Sequence, residues 1–116
     1  DPPLPEGFLP LSAEEMDAFI AEYPAAIIYC WREDCSPCES VKEDLERLRS
    51  EGEIPESVGL GAVYGPDHVR TLREEYEVGA APTVLFCADG DIDSRIVGSP
   101  GFDAVRTEVE IVTDDL

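Results

Sequence analysis

The sequence predicts an α/β domain with a central mixed sheet of four to five strands flanked by helices on both faces, and three observations predict it. First, apolar runs of strand length alternate with stretches of helical period, the pattern of a parallel βαβ unit. Second, Asp89-Gly90 joins the last two strand-like runs, a strong hairpin signal that makes those strands antiparallel. Third, the two thiols of Cys35-Ser36-Pro37-Cys38 sit where an apolar run gives way to a helical pattern. A Cys-x-x-Cys at a strand-to-helix junction of a βαβ unit reads as a redox motif.

Each element follows from local pattern. Residues 1–10 carry four prolines and read as an extended lead-in, with a short edge strand near Gly7-Phe8-Leu9. The folded domain is expected over 11–116. Ser12 and Glu15 form a capping-box pattern, followed by Met16, Phe19, Ile20 and Tyr23 at helical spacing until Pro24 stops the helix. Ala25-Ala26-Ile27-Ile28-Tyr29-Cys30-Trp31 is a buried strand. A helix from about 37 to 50 places Cys38, Val41, Leu45 and Leu48 on one face and ends at Gly52. Its outer face sets Glu43 against Arg47, and Lys42 against Glu46, at four-residue spacing. Residues 57–64 make a third strand whose glycines admit a close neighbour. A short helix carries Val69, Leu72 and Tyr76. Strands over 83–87 and 92–97 flank the Asp89-Gly90 turn, and Phe102, Val105, Val109 and Val112 give a final amphipathic helix. There is no internal repeat, low-complexity tract or second domain.

At 116 residues the chain can bury roughly two thirds of its unfolded surface in one core. Against 27 acidic residues stand 8 basic ones, a formal net charge of −19, with Lys42 the only lysine. Such a chain repels nucleic acid and anionic membranes, so neither is an expected partner. Disorder does not follow from the charge, because the 43% hydrophobic content falls into clear helix and strand periods. Adaptation to concentrated salt fits better: at about 1 M the Debye length is roughly 3 Å and self-repulsion is largely screened. No run of 18 apolar residues and no basic-then-apolar start are visible, so neither a membrane span nor a secretory peptide is expected. Four cysteines, two of them inside apolar runs, fall short of a disulfide-dense secreted scaffold and point to the cytoplasm. A monomer is the expected state.

The dithiol carries the chemistry. A thiol at a helix N-terminus meets unpaired N–H groups and the positive end of the dipole, which favour the thiolate that attacks disulfides. The second thiol, one turn on, can resolve the mixed disulfide. Pro37 fixes the first turn, where its missing N–H costs nothing. The bland alternatives are inert core cysteines or half of a zinc or iron-sulfur site. A metal site needs two further ligands, and Cys30 and Cys87, the remaining thiols, lie in apolar runs, so no metal and no cofactor are expected. Cys30 and Cys87 read as packing residues, with a second disulfide or a redox sensor as the alternative. His68, the only histidine, reads as a solvent-facing or capping residue; Tyr29, Tyr64 and Tyr76 read as core or half-buried aromatics.

Three segments resemble the thioredoxin family: Trp31-Arg32-Glu33-Asp34-Cys35-Ser36-Pro37-Cys38, Ala80-Ala81-Pro82-Thr83-Val84, and Val97-Gly98. The likeness runs from about Leu11 to the end of the chain. It implies the thioredoxin fold, with Cys35 as exposed nucleophile, Cys38 as buried resolving thiol and a cis Pro82 facing them. It also implies that Ala80, Ala81, Val97 and Gly98 line a shallow apolar groove, that Trp31 packs beside the site, and that Ser36 and Pro37 shape the motif. Disulfide-containing proteins and a thioredoxin-reductase-type electron donor are the implied partners. The chain departs from the family's usual residues in having Ser36 where glycine is common, Asp34 for tryptophan, Glu39 for lysine, and Tyr29 where an aspartate is often buried. Proton transfer from the resolving thiol then falls to water or Glu33, and Asp34 and Glu39 oppose the helix dipole's effect on the thiolate.

The expected function is thiol-disulfide exchange, most simply the reduction of partner-protein disulfides. The alternative is a thioredoxin-fold binding or adaptor module in which the acidic surface and groove recognise a partner and redox turnover is incidental.

Overall fold

A computed structural model describes residues 3–116; Asp1 and Pro2, the start of the proline-rich lead-in, lie outside the described residues. Five strands, β1 (Leu9–Leu11), β2 (Ala25–Trp31), β3 (Gly59–Tyr64), β4 (Thr83–Ala88) and β5 (Asp91–Val97), form one sheet in the order β1-β3-β2-β4-β5. β3 runs parallel to both β1 and β2, whereas β2–β4 and β4–β5 are antiparallel. The helices are α1 (Met16–Glu22), α2 (Ser36–Ser50), α3 (Val69–Tyr76) and α4 (Phe102–Val112). The mixed sheet and the two helix layers agree with the α/β thioredoxin fold expected from the sequence.

β2 explains why the sheet is covered on both sides. It is the central strand, and every residue from Ala25 to Cys30 is buried, as the continuous apolar run requires of a strand with two protected faces. Ala25, Ile27 and Tyr29 share a core with the apolar stripes of α2 and α4. The alternate residues Ala26, Ile28 and Cys30 pack with Met16, Phe19 and Ile20 of α1 and with Leu72 and Tyr76 of α3. The Asp89-Gly90 turn has positive φ at both residues, 54° and 84°, as a two-residue hairpin loop of type I′ demands. At the start of α1 the Ser12 N–H donates to the Glu15 carboxylate at 2.8 Å, half of a capping box, and this bond holds the Glu15 carboxyl below its ordinary range.

Several local expectations shift. The edge strand lies at Leu9–Leu11, not at 7–9, because its position is set by pairing with β3, where Leu9 faces Gly61. β3 begins at Gly59, two residues later than the apolar pattern. Lys42 does not sit on the outer face of α2; it is 5% exposed, on the flank of the buried stripe beside Val41. A lysine can bury its apolar stem there while the ammonium, 4.0 Å from Glu39, stays near the surface. Arg47 pairs forward with Glu51 at 3.0 Å instead of back with Glu43. Val69, expected on the buried stripe of α3, is 52% exposed. The lead-in docks on α2: Phe8 is buried, Leu4 packs against the same core, and the Glu6 N–H donates to Glu46 at 3.2 Å.

Candidate active site

Cys35 and Cys38 are joined as a disulfide across the first turn of α2, with Cα atoms 5.2 Å apart. The local chain makes this possible in three steps. β2 ends at Trp31, and Asp34 turns the chain with φ 52°, a left-handed conformation that aspartate tolerates better than most residues. Cys35 then takes extended angles as the N-cap of α2. Its sulfur receives the Cys38 N–H at 3.2 Å, filling the role that a serine or aspartate oxygen plays at other helix starts. Pro37 occupies the first turn without losing a hydrogen bond.

The far wall comes from the 80–82 segment and the end of β5. The Ala81–Pro82 peptide bond is cis, and the Ala81 carbonyl oxygen lies 3.9 Å from Cys35 Sγ. Pro82 is buried, its carbonyl accepts the Gly98 N–H at 2.9 Å, and the Thr83 hydroxyl donates to the Ala80 carbonyl at 2.7 Å. Val97 stands opposite Thr83 and is 60% exposed. The structure thus gathers Cys35, Cys38, Ala80, Ala81, Pro82, Val97 and Gly98 at one end of the sheet, with Ser36 and Pro37 exposed on the first turn of α2. Trp31 is half-buried beside them, its ring 4.9 Å from that of Tyr64. Cys35 is less open than the resemblance implies: it is 7% exposed against 1% for Cys38. The Ala81 carbonyl oxygen stands 3.9 Å from its sulfur.

Two contacts are absent from any local reading of the sequence. The Tyr29 hydroxyl, buried under α2, donates to the Cys38 carbonyl at 2.8 Å. Burial first, and then the Glu39 and Glu46 charges, push this phenol upward, so it stays neutral. A strand residue reaching a helix carbonyl nine positions later carries no sequence signature beyond its inward register with Ala25 and Ile27. The second contact is the Tyr64 hydroxyl donating to the Glu33 carboxylate. That bond holds Glu33 below the ordinary carboxylate range and pushes Tyr64 up to about 12. Glu33, one of the two proton-transfer candidates named from sequence, is therefore already committed to Tyr64.

The remaining cysteines sit on one face of the sheet but not opposite each other. Cys30 faces Thr83 and Cys87 faces Ala26, four residues apart along β2. A strand advances roughly 3.4 Å per residue, so the pair is out of disulfide reach, and the packing reading fits. Burial pushes both thiols up to about 12, which keeps them protonated and unreactive. His68 occupies the N-cap position of α3 without a capping bond from its side chain, whose Nδ1 lies 3.8 Å from Glu14. Among the described residues no cluster of three His, Cys, Asp or Glu side chains is placed to hold a metal ion, and no helix is long and apolar enough to cross a membrane.

No family model matches the chain. It is 35% identical over 88 residues to a thioredoxin of Chlamydia caviae, covering 76% of this chain and 81% of that protein. It is 33% identical, over the same shares, to a thioredoxin of Chlamydia pneumoniae. Among solved structures it resembles a mutant thioredoxin from Halobacterium salinarum NRC-1, with a TM-score of 0.73 and 21% identity over 93% of this chain and 94% of that one. A chain from a study of the thiol resolving mechanism in yeast mitochondrial 1-Cys peroxiredoxin via glutathione/thioredoxin systems gives a TM-score of 0.76 at 18% identity, over 90% and 95%. The two structural likenesses speak for the fold, and the identity to the Chlamydia proteins speaks for descent. The chain therefore belongs to the thioredoxin family of thiol-disulfide oxidoreductases.

Proposed function

We propose that this chain reduces disulfides in partner proteins through the Cys35/Cys38 dithiol. The observation that carries the reading is the seating of Cys35 as N-cap of α2, its sulfur accepting the Cys38 N–H while bonded to the Cys38 sulfur. In the reduced chain that N–H and the helix dipole stabilise a Cys35 thiolate. The thiolate attacks one sulfur of a partner disulfide; the other partner sulfur leaves as a thiolate and is protonated by water. Cys38 then loses its proton and attacks Cys35 Sγ, releasing the second partner thiol and leaving the Cys35–Cys38 disulfide. Two electrons pass to the partner, and a thioredoxin-reductase-type donor returns them. Water takes the Cys38 proton, because Tyr29 is neutral beneath the site and Glu33 is held by Tyr64.

Ala80, Ala81, Val97 and Gly98 serve in this reading as the groove for the partner's backbone, with Trp31, Ser36, Pro37 and Pro82 as supporting walls. The direction of transfer follows from charge. Asp34 and Glu39 flank the dithiol and are exposed, and they destabilise the thiolate relative to a site with cationic neighbours. A dithiol becomes an oxidant when its reduced form is strongly stabilised, so these carboxylates favour the reductant. The charge of −19 further suggests that the protein works in concentrated salt, and its two free buried cysteines fit the cytoplasm.

Insulin reduction with dithiothreitol as electron source, in about 1 M KCl, tests the reading. The chain accelerates precipitation of the insulin B chain, and Cys35→Ser removes the acceleration. Equal rates for the two, or no acceleration by either, sink the reductase reading and leave the adaptor reading.

A further inference from the structure

A cavity of about 540 Å³ opens beside the dithiol, on the α3 side of the sheet. Trp31, Pro66, Val69 and Val78 give it apolar walls, and Ala81, whose carbonyl oxygen is 3.9 Å from Cys35 Sγ, stands at its edge. Its charge is the reverse of the molecule's. With 27 acidic residues in 116, the lining includes no Asp or Glu, yet it holds two of the eight basic residues, Arg32 and Arg73. Neither is paired with a carboxylate among the described residues, whereas Arg47 and Arg70 each hold a glutamate, at 3.0 and 3.1 Å. Arg32 Nη1 donates to the carbonyls of Glu33 and Asp34, at 3.2 and 3.4 Å, and no carboxylate bonds its guanidinium. Glu33, the nearest carboxylate in sequence, accepts its hydrogen bond from the Tyr64 hydroxyl and feels Arg32 through its charge without a salt-bridge contact.

We infer that Arg32 and Arg73 select partners, and that the cavity takes an acidic side chain together with an apolar one from the polypeptide flanking the attacked cysteine. This rests on the reductase reading and deepens it. Two arginines lining an apolar pocket match a carboxylate by charge, and the apolar walls, with Val69 52% exposed, match a neighbouring aliphatic or aromatic side chain. The long-range field works the other way: a charge of −19 draws cationic partners and repels acidic ones, so only a local contact can produce a preference for acid. Arg32 and Arg73 are thus specificity residues, distinct from the thiols that carry the chemistry.

The test uses three disulfide-linked fluorogenic peptides that differ only two residues either side of the attacked cysteine, with Glu, Gln or Lys there. Their kcat/KM values are read at about 0.15 M KCl, where the Debye length is roughly 8 Å. The parent chain is expected to favour Glu over Lys by about three- to tenfold, the range two partly exposed ion pairs supply. Arg32→Lys/Arg73→Lys, which keeps the net charge, retains that preference. Arg32→Gln/Arg73→Gln brings the ratio to one or below. All three chains are compared below their own melting midpoints, so a folding defect is not read as lost selectivity. Turnover by the parent without a Glu preference, or a preference that survives the Gln substitutions, overturns the acidic site alone. No turnover of any peptide, with the parent matching Cys35→Ser, overturns the reductase reading and this site with it.

Discussion

Tyr29 is the residue at which this chain most visibly departs from its family, since a buried phenol stands where a carboxylate is common. Its hydroxyl donates to the Cys38 carbonyl at 2.8 Å, tying the first turn of α2 to the central strand without placing a charge under the dithiol. Tyr29→Phe keeps the ring and removes only that bond, so we expect a loss of about 1 kcal/mol in the oxidised protein. A drop of a few degrees in the melting midpoint reports it; an unchanged midpoint means the bond adds nothing. Cys30 and Cys87 give a second expectation. Burial raises both thiols from 9.0 to about 12, so the folded chain holds these protons more tightly than the unfolded chain does. Their stabilisation is complete below about pH 9 and is lost as pH rises from there towards 12. Urea midpoints should therefore fall between pH 8 and 10.5, and Cys30→Ala/Cys87→Ala should flatten the fall. A parent midpoint indifferent to this range contradicts the assignment. The dithiol itself was legible residue by residue, because its spacing and the flanking apolar run are local. The Tyr29–Cys38 and Tyr64–Glu33 bonds were not, because each joins residues that only tertiary packing brings together.

Among the elements, those written in one contiguous pattern read correctly: β2 over Ala25–Trp31, α4 from Phe102 to Val112, and the Asp89-Gly90 turn. Elements defined by a partner did not. β1 is a strand because residues some fifty positions later pair with it, so three exposed or half-buried residues gave no period to read. Lys42 was assigned outward by its charge, yet helical geometry puts it next to Val41 on the core flank. The close approach anticipated at the β3 glycines is real at Gly61: a Cβ there would lie 2.5 Å from Leu11 Cδ1 and 3.2 Å from Ile28 and Phe19 side chains. Gly61→Val should push α1 and β1 off the sheet and cost about 1–3 kcal/mol, seen as a lower unfolding midpoint. A midpoint equal to the parent's would show that β1 and α1 yield freely.

Charge belongs to the whole molecule, and −19 over 116 residues places many like charges on one small surface. Few of the described carboxylates have cationic partners, and most of the ion pairs present are exposed, so screening by salt should dominate their energetics. The melting midpoint is expected to climb from dilute buffer to about 1 M KCl; a flat response would remove the case for a salt-adapted protein. The same charge distribution bears on the direction of electron flow, since Asp34 and Glu39 raise the free energy of a Cys35 thiolate and the helix dipole opposes them. The most direct test is the reduction potential of the Cys35/Cys38 couple, measured by equilibration against a thiol–disulfide buffer of known poise. A value below about −230 mV, near thioredoxin's roughly −270 mV, is the predicted result; a value above about −180 mV, towards the roughly −120 mV of a strong oxidant, would contradict the assignment as a reductant.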